Sequence, residues 1–330
     1  MATRGATYLT LMDWVQRNKP GGGIDEIIEV LAASNPIVAD ANVMEGNLPT
    51  GHQHTERTSE PSGTWRLINK GIQPTKSTTE QSTDTCGILN AFSKVDADLA
   101  ELNGDQAAFR ASEDNAFVSG LSSQVATAIF YGDQGANPEQ MHGLDKRYDS
   151  TSQDQVLSAS GSGSDNTSIW FVTWGPQTAS LIFPKGSPAG LQSNDLGKIM
   201  VHDSDTYDYM AWVTEHKWKL GLAVMDYRYV IRICNIDISN LTADAASGAD
   251  LLDQMVDAYY ARPTSELGPM LAKTFIYCNP TVAKFLHKQA QNKSNVNLTI
   301  DMPAGVPQVS FLGAPIHVCD NITETEATIS

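Results

Sequence analysis

Residues 207–234 carry the clearest alternation of apolar and polar positions in the chain, YDYMAWVTEHKWKLGLAVMDYRYVIRIC. Tyr207, Tyr209, Ala211 and Val213 fall on one face; Tyr227, Tyr229, Ile231 and Ile233 repeat the pattern against Arg228 and Arg232. Strand side chains alternate between faces, and aromatic and β-branched residues suit a pleated surface, so this region predicts sheet. Shorter apolar runs at 169–174 and 179–183, separated by Gly175-Pro176, and at 274–278 predict further strands, and the closing VPQVSFLGAPIHVCDNI predicts strand and turn.

The helical period is strongest over 104–131, where Leu102, Phe109, Phe117, Leu121, Val125 and Ala128 lie near one face. Asn103 followed by Gln106 has the form of a capping box, Asp105 lies in the positive first turn and Gly132 ends the run. At 1.5 Å per residue such a helix is about 42 Å long. A second helix is predicted over 249–261, from the rows Leu251, Met255, Tyr259 and Leu252, Val256, Tyr260, with Pro263 beyond its end. A third begins after Asn279 as cap, with Pro280 in its first position. Residues 24–33 form a short amphipathic helix between Gly21-Gly22-Gly23 and Pro36, too small to stand alone.

Two stretches have another texture. Residues 149–168 are small and polar and read as a surface loop. Residues 46–90 are rich in Thr, Ser, Gly and Pro. Within them Trp65, Leu67 and Asn69 alternate with Arg66, Ile68 and Lys70 as in a strand; Gly71 turns the chain, and 73–85 return beside it. This predicts a long two-stranded arm without a core, and a lone hairpin is marginal in water. Such an arm gains its order from a partner. The elements together make a mixed α+β chain without internal repeats.

Composition narrows the function. The chain has 330 residues, 38 acidic against 22 basic, a net charge of -16 and 41% hydrophobic residues. A chain of this length buries roughly three quarters of its unfolded surface and needs no staples. Its charge excludes gripping nucleic acid or anionic membranes by bulk electrostatics. The N-terminus lacks the continuous apolar core of a secretory signal, and no stretch approaches 18 apolar residues.

Enzymatic chemistry finds no support. His52 and His54 share a strand face but lack a third ligand in pattern. Asp203, Asp205 and Asp208 fail the calcium-loop spacing, with Asp208 where glycine and Thr214 where glutamate should stand. The stretch GSGSD at 161–165 fails the nucleophile-elbow pattern at Asp165. No pair is singled out among the 38 carboxylates for glycosidase work. Cys86, Cys234, Cys278 and Cys319 neighbour apolar residues and read as buried thiols. Trp65, Trp170, Trp174, Trp212 and Trp218 read as core or interface residues rather than a stacking platform. The expectation is therefore no enzyme, no catalytic or metal site and no cofactor.

One resemblance covers almost the whole chain. EGNLPTGH at 45–52, SGTWRLINKGIQPTKSTT at 62–79, AFRASEDNAF at 108–117 and WGPQTASLIFPKGSPAG at 174–190 appear in order. WKLGLAVMDYRYVIRICNIDI at 218–238, KTFIYCNPTV at 273–282 and FLGAPIHVCDNI at 311–322 follow. In these the chain resembles the major capsid proteins of tailed bacteriophages, of the Hong Kong 97 fold, and is most similar to those of short-tailed phages. The resemblance implies an N-terminal arm at 1–46, an extended loop at 47–88, a peripheral domain at 89–168 containing the spine helix, and a mainly axial domain at 169–330 with returning peripheral strands. It further implies self-assembly as hexamers and pentamers into an icosahedral shell around double-stranded DNA, within a virion assembled in the bacterial host cytoplasm, without sequence-specific DNA binding or a membrane. Portal protein, a separate scaffolding protein (the spine helix begins too early for a fused one) and a decoration protein are the implied partners. Some relatives crosslink a loop lysine to a neighbour's asparagine. Lys70 and Lys76 lie in the loop here, yet no partner is patterned, so no crosslink is expected. The competing readings are an encapsulin-like nanocompartment shell and, more distantly, a soluble enzyme or carbohydrate-binding protein.

Overall fold

The computed structural model describes residues 35–102, 105–202, 207–242, 251–263, 272–290, 298–301 and 308–330. The predicted helix at 24–33, the Asn103 cap and Asp203 and Asp205 lie outside them.

Strand β5 (Asn166–Trp174) is the centre of the molecule, with every residue buried. It pairs antiparallel with β9 (Val230–Asp237) on one side and β10 (Lys273–Cys278) on the other. Burial on both faces explains why its sequence is a continuous apolar run instead of an alternation. Trp170, Val172 and Trp174 point into one core, Ile169 and Phe171 into another. The first core is closed by α3 (Gln106–Tyr131), through Val125, Ala126, Ile129 and Phe130. The second is closed by α4 (Leu251–Ala261), through Leu251, Met255 and Ala258, and by α5 (Pro280–Ala290), through Val282 and Leu286. Helices therefore cover both faces of the sheet.

Among the described residues the sheet has 13 strands. Beyond β10 it continues through β13 (Ala314–Val318), β12 (Gln308–Phe311) and β11 (Leu298–Asp301). On the other side β6 (Ala179–Phe183) meets β5 at Trp174 and leads to β8 (Asp208–Val224), β3 (Thr78–Asp96) and β2 (Gly51–Ser59). Short β1 (Val43–Glu45) lies parallel on β6 and β4 (Val156–Ser158) parallel on β9, while β7 (Leu191–His202) forms a hairpin with β8. Two small helices, α1 (Ile37–Asp40) and α2 (Ala97–Glu101), and two 3-10 turns, Tyr227–Tyr229 and Ile238–Asn240, complete the described elements; the first turn stands where the alternation placed Tyr227 and Tyr229 on a strand.

The spine helix α3 is where its periodicity places it. At 26 residues it is about 39 Å long. Its cap is Asp105, whose carboxylate accepts from Ala108 N at 3.1 Å. Only its C-terminal half enters the main core; Phe109 near its start joins a separate small cluster with Val95, Leu99 and Ala100. Asn279 accepts from Thr281 N at 2.8 Å and caps α5, as its sequence predicts.

Three expectations are corrected. Residues 65–70 are not a strand but the tip of the arm, turning at Leu67–Lys70 with a 3.1 Å backbone bond and Asn69 at φ 65. Pro61 and Pro74 flank this tip and cannot donate to a ladder, which keeps it unpaired. Residues 149–168 are not merely a surface loop: they include β4 and the start of β5, where Asn166, Thr167 and Ser168 are fully buried. Arg232, which alternation places opposite the apolar face, is also fully buried. Both of the last two arise because residues 319–330 fold back over this region and supply polar partners.

Candidate functional site

The feature that a compact domain would not keep is the arm. Strands β2 and the first half of β3 pair antiparallel from Gly51↔Thr85 to Ser59↔Thr78, and beyond them 60–77 form an irregular tip. Trp65 is fully exposed at 101%, with Leu67, Ile68 and Ile72 also open to solvent. Exposed large apolar residues gathered on one projection mark an interaction surface. The strand β3 runs unbroken from the arm into the body, where residues 86–96 pair with β8. The arm thus leaves the body as a direct continuation of the sheet.

Its root is a built polar junction. Asp84, 4% exposed, accepts from Arg147 Nη2 at 2.7 Å and from Val224 N at 3.3 Å. Arg147 also donates to Leu222 O at 3.0 Å, tying β3 to β8 through the loop after α3. His54 lies between two carboxylates, with Nε2 2.8 Å from Glu56 and Nδ1 3.8 Å from Asp84, and His52 stacks on it at 6.3 Å. Burial, then the charge of His54, holds His52 below the ordinary histidine value. Backbone contact is equally close here: a Cβ on Gly51 would stand 1.9 Å from Asp84 O, and one on Gly221 2.5 Å from Thr85 O. Only glycine fits either place.

A second polar centre locks the C-terminal segment. Arg232 donates to Glu326 at 2.9 Å, Asp145 at 2.8 Å, Ser168 Oγ at 3.0 Å and Tyr148 O at 2.8 Å, with its guanidinium 4.7 Å above the Trp170 ring. Glu326 also accepts from Ser168 Oγ and, at 2.5 Å, from Tyr131 OH on the spine helix. Burial and the Glu326 charge keep the Tyr131 phenol protonated far above its ordinary range. Asn235, left-handed at φ 56, bonds both N–H and C=O of Ile329. At the opposite end, Asp40 of α1 accepts from Tyr277 OH at 3.0 Å and pairs with His317 at 2.5 Å.

The sequence candidates distribute as follows. Trp170 and Trp174 are core, Trp212 and Trp218 half-buried, and Trp65 is surface. Cys234, Cys278 and Cys319 are buried and Cys86 is half-buried; burial pushes the Cys86 thiol up to about 11 and Cys319 to about 12, so neither is a ready nucleophile. His52 and His54 serve the arm root. Among the described residues no group of three or more His, Cys, Asp or Glu has metal-binding geometry. Asp165 accepts from Ser239 N at 3.0 Å, a turn contact. Asp84, Arg147 and Glu326 were not singled out by sequence. The one available signal was Arg232, a charge inside an otherwise apolar run.

A long helix laid over a large sheet, with an apolar-tipped arm projecting from it, is the layout expected of a shell protein of the Hong Kong 97 fold. The chain belongs to the family described as Major capsid protein GP7, whose model matches residues 19–330. It is a structural major capsid protein of the tailed-phage type, and its place is the virion capsid. It is similar to the solved structure of bacteriophage Epsilon15, with 39% identity over 100% of this chain and 99% of that one and a TM-score of 0.80. The capsid of bacteriophage JBD30 shares the fold at 8% identity, covering 89% of this chain and 93% of that one with a TM-score of 0.52. No curated protein matches the sequence.

Proposed function

We propose that copies of this chain pack as hexamers and pentamers into an icosahedral shell enclosing a double-stranded DNA genome, with each arm lying on an adjacent subunit. The observation that carries this reading is the arm itself: Trp65, Leu67, Ile68 and Ile72 are exposed in the single subunit and gain burial only from another chain. A contact between two different patches repeats head to tail and closes into rings, which is how one chain forms both capsomers. The net charge of -16 suits a wall close to DNA that does not adhere to it. Residues 1–46 then act as N-terminal arm, 47–88 as extended loop, 89–168 as the peripheral domain with α3, and 169–330 as mainly axial domain.

A separate scaffolding protein, a portal and a decoration protein complete the particle, assembled in the bacterial host cytoplasm. The role is structural and involves no catalysis. Electron microscopy of the purified protein, alone and co-expressed with its neighbouring gene products, tests the reading. Icosahedral shells are expected; a monomeric protein under every condition would overturn it.

A further inference from the structure

One face of the arm's root carries ionisable side chains from both of its strands. In the β2–β3 ladder His52 stands opposite Asp84, His54 opposite Ser82 and Glu56 opposite Glu80, and directly opposed residues share a face. Strand β2 is the last strand on its side of the described sheet and is paired along one edge only. His54 has a carboxylate at each ring nitrogen: Glu56 Oε1 lies 2.8 Å from Nε2, and Asp84 Oδ2 lies 3.8 Å from Nδ1. An ionised carboxylate only accepts, so Nε2 carries the hydrogen of the neutral ring and donates it to Glu56. That leaves Nδ1 as a bare lone pair, buried and without a hydrogen-bond partner, turned toward the buried Asp84.

The charges around this ring are mostly carboxylates. Glu56, Glu80 and Asp84 belong to the two strands, and Asp154 shares with Glu56 and Arg147 a cleft beside them. Arg147 is the permanent cation. It holds Asp84 Oδ1 at 2.7 Å, while Oδ2 accepts from Val224 N of β8 at 3.3 Å. His142 lies within electrostatic reach of Arg147 and Asp84, and Tyr148 within reach of Arg147, Asp226 and Glu56. Cys86, next along this face of β3, stays a neutral thiol. His52 stacks on His54 with ring centroids 6.3 Å apart, and it is held neutral first by burial and then by the charge of His54.

We propose that His54 is a proton-operated latch at the root of the arm, closing on Asp84 in mild acid. Histidine changes its charge between about pH 5 and 8. Nδ1 takes a proton from solvent, the new N–H closes on Asp84 Oδ2, and Nε2–H keeps its bond to Glu56. The neutral ring ties only residues of its own strand, since His54 and Glu56 both belong to β2. The charged ring reaches across to β3 and, through Asp84, to Arg147 and β8. It thereby fastens an edge strand to the body with a charge-assisted bond, the stronger kind. The latch depends on the arm's root alone and is independent of the shell reading.

The test is hydrogen–deuterium exchange of the full-length, unassembled subunit at pH 7.5 and 5.5, with each amide's rate taken relative to its intrinsic rate at that pH. Protection of residues 52–57 should rise by roughly tenfold in acid, the worth of one hydrogen bond to a charged group, when compared with residues 169–172 of the buried strand β5. His54→Gln should abolish the rise, and His52→Gln should keep it. In the unaltered protein, proton spectra should show a slowly exchanging Nδ1–H of His54 at pH 5.5 and none at pH 7.5, a signal that a ring with only a packing role would not give. Protection that stays flat or falls in acid overturns the latch. So does a rise that survives His54→Gln, a rise lost in His52→Gln instead, or the lack of a protected Nδ1–H in acid.

Discussion

Truncating Glu326 tests how the C-terminal segment is held. Glu326→Ala removes the partner of Arg232 Nη2 and the acceptor of both Tyr131 OH and Ser168 Oγ, all within a few ångströms and out of solvent. Arg232 is then left fully buried with Asp145 as its remaining carboxylate. Removing one member of a buried pair typically costs 3–5 kcal/mol, because the stranded charge stays desolvated. With a urea slope of about 3 kcal/mol/M, the unfolding midpoint of the unassembled subunit should fall by roughly 1 to 1.7 M. The companion variant Arg232→Met loses the charge from the other side. If stranded charge is the cause, the double variant Arg232→Met/Glu326→Leu should be clearly less destabilised than the sum of the Arg232→Met and Glu326→Leu singles, since an apolar pair of similar volume often substitutes at little cost. Additive losses, or a Glu326→Ala change within about 0.5 kcal/mol of zero, would refute this account of the lock.

Four further outcomes can be checked. Gly221→Ala should reduce soluble yield and lower the thermal midpoint by an amount equivalent to about 1–3 kcal/mol, because its Cβ meets Thr85 O at 2.5 Å; unchanged melting would show that the root relaxes freely. Trp65→Ala should leave the unfolding midpoint of the monomer within about 0.5 kcal/mol and sharply lower the yield of shells; equal loss of both would make it an ordinary core residue. His52 and His142 are both held below the ordinary value of 6.5, first by burial, then by His54 and by Arg147 respectively, while Asp84 opposes both shifts and Asp133 opposes and Lys146 adds at His142. The unfolded chain then binds more protons just below 6.5, so stability is full above that pH and is lost as pH falls beneath it; urea midpoints at pH 7.5 and 5.5 should show this, and His52→Gln/His142→Gln should flatten the difference. Mature particles boiled in detergent should run as monomers, since no partner is patterned for Lys70 or Lys76, and a stable ladder would reveal a crosslink.

Much of the architecture was legible in the sequence because it depends on local periodicity. The 3.6-residue pattern of α3, the rows of α4, the Asn279-Pro280 start of α5 and the strand at Ala179–Phe183 each follow from spacing and capping chemistry, and each is found within a few residues of its expected place. The arm was also foreseen, as a long two-stranded stretch without a core of its own. Its strands were misplaced, however. The Trp65–Lys70 alternation has the period of a strand, but pairing also needs a regular opposite strand, and Pro61 and Pro74, which cannot donate to a ladder, interrupt both legs just before the tip.

What sequence alone determined, then, is the acidic character, the α+β class, the long helix and the presence of an arm that cannot bury itself. Only the tertiary structure decided where the buried charges go. Arg232 and Glu326 are 94 positions apart, and Asp84 and Arg147 are 63. No local pattern links them, because the burial of these charges is offset only by partners that distant segments bring together. Polar Asn166, Thr167 and Ser168 looked like a loop for the same reason: their burial depends on the C-terminal residues that return to pair with them.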